Sequence, residues 1–282
     1  MQRNRKEAEE IVDRKYPQIQ GYEKLILITH YQRTNEWACK NCDGVGSIIK
    51  IDPSLKIMKT VDCLCKVIRK KKLISDELRL KSNLPKKYYT ADLKNWNNPA
   101  SNQQEMEVNQ NSVSIIEKYC NQIIKMIEKG CGLFLTGPNG VGKTFIACSI
   151  ANRAMNAGKS VKYYTMSEII QTEIRGWKDE DSAVISRGIK KSDLLIIDDL
   201  DKVYRTKTGI EQMLFDNLLR CRLQSSKSCI FTSNRTMKDS YGDHGSHIAS
   251  MLFENSVELV IVGRDYRMNI SSKLKEDIIN DS

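Results

Sequence analysis

Short apolar runs alternate with helical patterns along the second part of the chain, from residue 113 onward. The runs that predict strands lie at residues 133–136, 160–164, 194–197, 229–232 and 259–262. A helical segment, beginning with one at 113–129, comes before or between them. Buried strands connected by helices are typical of a parallel sheet with helices on both faces. The pattern predicts an α/β fold that binds its ligand at the carboxyl ends of the strands.

The first part of the chain follows a different pattern. Residues 1–35 and 67–82 predict helices, and the second of these is basic. Residues 47–51 and 56–61 predict a β-hairpin. Residues 95–112 are rich in Asn and Gln and predict a loop or linker.

These patterns divide the chain into three parts. We expect a small N-terminal domain at residues 1–85, a linker at 86–112 and a nucleotide-binding domain at 113–282. No apolar run has the roughly 18 residues of a membrane span, and the first residues lack a secretory signal. The expectation is a cytoplasmic protein without a membrane partner.

The first predicted strand leads directly into a phosphate-binding loop. The loop has the spacing G-x-x-x-x-G-K-T and consists of Gly137, Pro138, Asn139, Gly140, Val141, Gly142, Lys143 and Thr144. Glycines allow successive backbone N–H groups to point at one centre, and the following helix adds the positive end of its dipole. Lys143 would contact the β- and γ-phosphates, and the Thr144 hydroxyl would bind Mg²⁺. The loop predicts ATP and Mg²⁺ as cofactors.

Two carboxylates, Asp198 and Asp199, follow the predicted strand at 194–197. At a strand end beside a phosphate-binding loop, Asp198 would hold the hydrated Mg²⁺. Asp199 would orient the attacking water or accept its proton. Asn234 follows the strand at 229–232 and is a candidate for contact with the γ-phosphate or the water. Arg267 follows the last strand and is a candidate for contact with the phosphates.

Two cysteine pairs flank the predicted hairpin: Cys39 with Cys42, and Cys63 with Cys65. Tetrahedral Zn²⁺ prefers thiolates, and a C-x₂-C turn presents two of them together. We expect a four-cysteine zinc site, with His30 as an alternative ligand and buried free cysteines as the alternative interpretation. The other five cysteines are expected in the core: Cys120, Cys131, Cys148, Cys221 and Cys229.

The order of these motifs resembles the AAA+ ATPases, specifically the DnaC/DnaI-type helicase loaders of bacteria and phages. The resemblance covers roughly residues 37–270 and includes the segment 82–89, similar to that family's entry into the ATPase domain. It implies that Asn234 is the sensor-1 residue and Arg267 the sensor-2 residue. It also implies an ATPase without the C-terminal helical lid of most AAA+ proteins.

The chain departs from this family in one motif. The helix after sensor 1 generally carries an arginine that contacts the ATP of a neighbouring subunit, and this chain has no arginine between Arg235 and Arg264. Either Arg220, Arg222 or Arg235 substitutes, or hydrolysis is weak and ATP acts chiefly as a binding switch.

The resemblance implies a protein that loads a replicative hexameric helicase onto single-stranded DNA and self-associates when bound to ATP or helicase. Residues 1–85 would dock the helicase. The net charge of +10 is concentrated at residues 1–90, which hold 20 Lys and Arg against 11 Asp and Glu, and such a surface suits nucleic acid or an acidic partner. Candidate DNA contacts in the region 168–191 are Arg175, Trp177, Lys178, Lys190 and Lys191.

Two other functions share the same ATPase core. One is a transposase-helper ATPase, and the other is a protein that binds a helicase and inhibits it with little ATP turnover. The cysteine unit and the segment around Leu84 and Pro85 favour the loader. The missing arginine keeps the inhibitor open as an alternative.

Overall fold

The computed structural model describes residue 42 and residues 46–51, 58–202, 209–239 and 246–267. The chain forms two compact units, Met1–Lys72 and Leu73–Ser282. The predicted helix at 1–35, and with it Cys39 and His30, lies outside the described residues. Among the described helices, none has the length and apolarity needed to cross a membrane.

The larger unit is built on a five-stranded parallel sheet, which confirms the predicted α/β fold. Its strands are β3 Gly132–Thr136, β4 Val161–Thr165, β5 Leu194–Asp198, β6 Ser228–Ser233 and β7 Ser256–Val260. They lie in the order β4-β5-β6-β3-β7. The three inner strands are fully buried, as expected for strands covered on both faces.

Eight α-helices are described. They are α1 Leu64–Leu80, α2 Gln103–Asn121, α3 Ile123–Glu128, α4 Lys143–Asn156, α5 Met166–Gly176, α6 Glu180–Lys191, α7 Ile210–Gln224 and α8 Ser246–Asn255. Short 3-10 helices occupy Lys86–Tyr88, Leu93–Asn95 and Leu200–Lys202.

Alternate residues of the three inner strands enter separate hydrophobic cores. In β3, Leu133 and Leu135 pack with α2 and α4 in one core, whereas Phe134 packs with α5 and α7 in the other. This alternation is the period of two that a β-strand imposes. It places helices on both faces and fixes the phosphate-binding loop at the carboxyl edge of the sheet.

The region predicted as a linker at 86–112 is folded against the first core. Tyr88, Leu93 and Trp96 pack on that core, and helix α2 begins at Gln103, ten residues before the expected helix. Asn102 caps α2 by accepting a hydrogen bond from the N–H of Glu105 at 2.9 Å. The Asn- and Gln-rich composition suggested a loop, but in this segment Asn102 is the N-terminal cap of a helix.

The last strand also differs from its predicted position. We expected 259–262, and β7 covers Ser256–Val260 directly after α8. The charged Glu258 interrupts the apolar pattern from which the strand was predicted. In the structure, its partly buried carboxylate accepts a hydrogen bond from the backbone N–H of Met237 at 2.6 Å.

The smaller unit contains the predicted hairpin. Strands β1 Ser47–Ile51 and β2 Met58–Asp62 pair antiparallel, and α1 begins at Leu64. The division of the chain at Lys72 falls within α1 rather than at residue 85, since Leu84 already belongs to the first core of the larger unit.

Candidate functional site: a nucleotide-binding pocket

The phosphate-binding loop has the conformation that its glycines predict. Gly140 and Gly142 have φ angles of 77° and 92°, in the left-handed region that favours glycine. Within the described residues, the backbone N–H groups of 139–144 donate to no protein acceptor. Unpaired amide donors at the start of the 14-residue helix α4 fit a bound polyphosphate.

Lys143 lies at the centre of the loop and is buried. Its Nζ donates to the carbonyl oxygens of Gly137 and Pro138 at 2.8 and 2.7 Å, and to Oδ1 of Asn234 at 3.0 Å. Burial lowers the pKa of Lys143, although the charges of Asp201 and Asp199 oppose this shift. These partners hold the ammonium group where it can reach a phosphate.

Asp198 ends β5 beside the loop and accepts hydrogen bonds from residues of one helix and two strands. Its carboxylate lies 3.0 and 3.1 Å from Oγ1 of Thr144 and 2.5 Å from the hydroxyl of Tyr163, and it also accepts from Thr232. Burial, together with Asp198, raises the pKa of Tyr163, so the tyrosine stays a donor. A carboxylate and a hydroxyl side by side fit Mg²⁺, with Asp198 and Thr144 as the residues that would hold it.

Asp199 adopts a left-handed conformation, with φ of 54°. Its N–H donates to Oγ1 of Thr232 at 3.0 Å, and its carboxylate pairs with Lys202 at 2.9 Å. An L-residue in this conformation costs about 1 kcal/mol. The turn that it creates separates the two carboxylates, so Asp198 faces Thr144 while Asp199 lines the open pocket.

The pocket has a volume of about 310 Å³. Of the predicted residues, the loop residues from Asn139 to Thr144 line it together with Asp199, Asn234 and Arg267. Residues that the sequence did not single out also line it: Tyr88, Asn95, Trp96, Asn97, Phe145 and Tyr266. Aromatic residues within an otherwise polar segment were the available signal for Tyr88 and Trp96. A larger cavity of about 490 Å³ lies along the second half of α4 and contains none of the predicted site residues.

The segment 263–267 closes the pocket by binding to the loop. The N–H of Tyr266 donates to the carbonyl of Gly140 at 3.1 Å, and the hydroxyl of Tyr266 accepts from Asn97 at 2.8 Å. A Cβ on Gly140 would lie 1.7 Å from Oδ1 of Asp265. These contacts bring Arg267 to the pocket.

The three candidate substitutes for the missing arginine differ in solvent exposure. Arg222 is fully buried, where its guanidinium donates to the carbonyls of Ile189 and Ser228 at 2.8 and 2.6 Å. It therefore stabilises the core and cannot contact a neighbouring subunit. Arg220 is half exposed and pairs with Asp216 at 2.8 Å, and Arg235 is exposed two residues after the end of β6.

Three of the four predicted zinc ligands lie together. The Sγ atoms of Cys42, Cys63 and Cys65 are all within 4.8 Å of one another, and the N–H of Gly46 donates to Sγ of Cys42 at 3.3 Å. A tetrahedral zinc–thiolate site has sulfur atoms roughly 3.8 Å apart. This donor set fits Zn²⁺. The other five cysteines are mostly buried, but Cys221 is exposed and so is not a core residue.

Helices α5 and α6 form a hairpin that carries the predicted DNA contacts. Arg175, Trp177, Lys178 and Lys191 are exposed. Lys190 instead pairs with the buried Glu173 at 2.8 Å, and Ser186 donates to the same carboxylate. Lys190 therefore connects the two helices, and the other four side chains remain accessible.

The fold and the site together define a P-loop ATPase domain of the AAA+ class. Residues 62–268 match the family model described as IstB-like ATP binding protein. The chain belongs to this family.

Two of the similar proteins are ATP-binding proteins of insertion sequences. One is an ATP-binding protein of insertion sequence IS21 from Pseudomonas aeruginosa, 28% identical over 53% of this chain and 57% of the relative. Another, from a Mycobacterium tuberculosis insertion sequence, is 26% identical over 51% of this chain and 59% of the relative. The chain thus spans under two thirds of the length of these relatives.

Among solved structures, the DnaC helicase loader has a TM-score of 0.53 at 20% identity, over 63% of this chain and 99% of the loader. DnaI has a TM-score of 0.52 at 20% identity, over 64% and 95%. These similarities establish a shared fold.

Proposed function

We propose that this protein is an ATP-dependent loader that places a replicative hexameric helicase on single-stranded DNA. The observation that carries the ATPase part is that Lys143, Thr144 and Asn234 line one pocket, with Lys143 bonded to Asn234 and Thr144 bonded to the Asp198 carboxylate beside it. Bound Mg²⁺ would supply positive charge beside the phosphates.

Three residues of the pocket would have distinct roles in hydrolysis. Lys143 exchanges its two carbonyl partners for phosphate oxygens when the triphosphate binds, and so neutralises part of its charge. Asp199 orients the attacking water and accepts its proton. Arg267, which also lines the pocket, would contact the phosphates.

Partner binding is assigned to the smaller unit. The family match begins at residue 62, so the hairpin and Cys42 precede the shared ATPase core. A small unit cannot bury much apolar surface, and Zn²⁺ bound by Cys39, Cys42, Cys63 and Cys65 would supply its folding free energy. This basic unit would dock the helicase.

DNA binding is assigned to the α5–α6 hairpin. Trp177 is 60% exposed, and an exposed indole is a surface on which a base can stack. Arg175 and Lys178 flank it and would contact the phosphates. ATP would strengthen this binding by ordering loader subunits side by side.

A transposase-helper ATPase is the second candidate. It is favoured by the relatives encoded in insertion sequences. A helicase-binding inhibitor is the third, because within the described part of α8 no arginine is present to contact a neighbour's nucleotide.

The test measures the binding of the purified full chain to a replicative helicase and to an IS21-type transposase, each with ATP and with ADP. We expect tighter helicase binding with ATP, and loss of this difference in K143A. Preference for the transposase would support the second candidate. Equal helicase affinity with both nucleotides, without ATP turnover, would support the inhibitor, because equal binding shifts no equilibrium.

A further inference from the structure

A third carboxylate, Asp201, contacts the pocket through Asn234. One oxygen of Asp201 accepts the backbone N–H of Asn234 at 2.9 Å, and the other accepts from Nδ2 of the same residue, also at 2.9 Å. Asp201 belongs to the 3-10 helix Leu200–Lys202, which follows Asp198 at the end of β5 and the next residue, Asp199. Both oxygens of the Asp201 carboxylate therefore accept hydrogen bonds from Asn234.

These contacts determine which way the amide of Asn234 points. A carboxylate can only accept and an ammonium group can only donate. Asp201 therefore selects Nδ2, and Lys143, 3.0 Å away on the other side, selects Oδ1. An asparagine amide is often ambiguous in orientation, and here the two charged neighbours resolve it.

The carboxylate remains charged in this position. Partial burial favours the neutral form of Asp201, but the hydrogen bonds from the backbone and side chain of Asn234 outweigh it, so the pKa lies below its ordinary value. An ionised Asp201 is the form that holds Nδ2.

We infer that Asp201 is a positioning residue that presents Oδ1 of Asn234 as a hydrogen-bond acceptor to Lys143 and to the attacking water. Phosphate oxygens are acceptors, so Oδ1 cannot bind them. It can accept a hydrogen bond from the water, whose lone pair then faces the phosphate. This role rests on the proposed ATP hydrolysis.

The test uses the reciprocal exchange of the two side chains. In D201N, one carboxylate acceptor becomes an amide donor that faces Nδ2 of Asn234, and the amide of Asn234 loses its fixed orientation. In N234D, two carboxylates face each other. In D201N/N234D, the new amide can accept the backbone N–H and donate to the new carboxylate, whose second oxygen still faces Lys143.

We expect kcat to fall by about tenfold or more in each single variant, the scale on which outer-shell partners act. ADP affinity of D201N should stay within about twofold of wild type, since the phosphate-binding loop is unchanged. The exchange variant should recover kcat to at least about fivefold above either single variant. A merely structural contact would change stability without this selective loss and recovery of kcat.

D239N is the matched control, because Asp239 is an exposed carboxylate that accepts from Thr236 outside the pocket. Turnover of D201N equal to that of D239N would overturn the inference, and so would an exchange variant no faster than the single variants. A wild-type protein that does not hydrolyse ATP would refute both the ATPase proposal and this role. Wild-type hydrolysis that D201N retains would refute the role of Asp201 alone.

Discussion

The indole Nε1 of Trp96 donates a hydrogen bond to the carbonyl oxygen of Val141 at 3.2 Å. The bond joins the segment before α2 to the phosphate-binding loop, although 45 residues separate the two in sequence. It leaves the indole against the loop at the edge of the nucleotide pocket.

Substitution of Trp96 should weaken nucleotide binding. W96F loses one hydrogen bond, worth about 1 kcal/mol or roughly fivefold in affinity, and W96A also loses the aromatic wall and should cost more. Titration with a fluorescent ATP analogue measures both effects. W177F is the control, since Trp177 is exposed at the C-terminal cap of α5. Unchanged affinity in W96A would show that the indole does not shape the pocket.

Gly142 should tolerate no side chain. A Cβ there would lie 2.6 Å from Nε1 of Trp96, and φ of 92° adds a conformational cost of about 1–2 kcal/mol. G142A should lower the melting temperature and reduce nucleotide affinity by about tenfold or more, because the loop must shift.

A substitution at Gly158 separates the steric contact with Trp96 from the cost of the left-handed backbone conformation. Its φ of 81° imposes a similar conformational cost, but a Cβ would meet no atom within 4 Å. G158A should lose stability and still bind nucleotide like wild type. Normal binding by G142A would contradict the contact with Trp96.

Asp193 should make stability depend on pH. Partial burial opposes its ionisation, but hydrogen bonds from Lys227 and Ser160 prevail and lower its pKa from 3.8 to about 2. A lowered pKa stabilises the fold above the unfolded value, and this contribution is lost as pH falls from about 4 towards 2. After allowance for solvent screening, D193N should lower the free energy of unfolding by about 1–2 kcal/mol at pH 7.

Urea unfolding from pH 7 to pH 2 measures this difference. The gap between wild type and D193N should narrow below about pH 4. K227M should lose a similar free energy, and the double variant should lose less than the sum, since Lys227 and Asp193 form one ion pair at 2.8 Å. If the difference in unfolding free energy between wild type and D193N did not change with pH, the lowered pKa of Asp193 would be refuted.

The cysteine cluster should bind one zinc ion per chain. Cys63 is the most buried of the three grouped cysteines, and C63S should abolish zinc binding and destabilise the smaller unit. Elemental analysis by mass spectrometry measures the zinc content, and a chelator should reproduce the effect in the wild type. C221S should retain zinc, since Cys221 is exposed on α7. Wild-type protein without zinc after growth in zinc-supplemented medium would exclude the site.

The sequence by itself determined the sheet and the centre of the pocket. A phosphate-binding loop is eight consecutive residues, so its chemistry depends on local backbone conformation and survives in the one-dimensional pattern. The same holds for Asp198 and Asn234, because each follows an apolar strand and parallel strands end at one edge of the sheet.

Only the tertiary structure decided which residues hold these groups in place. Tyr163 reaches Asp198 from β4, Trp96 reaches the loop from the presumed linker, and Asp201 reaches Asn234 across neighbouring strand ends. Arg222, a candidate for contact with a neighbour, proved to be buried. Such contacts depend on strand order and on side-chain direction, and neither is encoded in the spacing of residues along the chain.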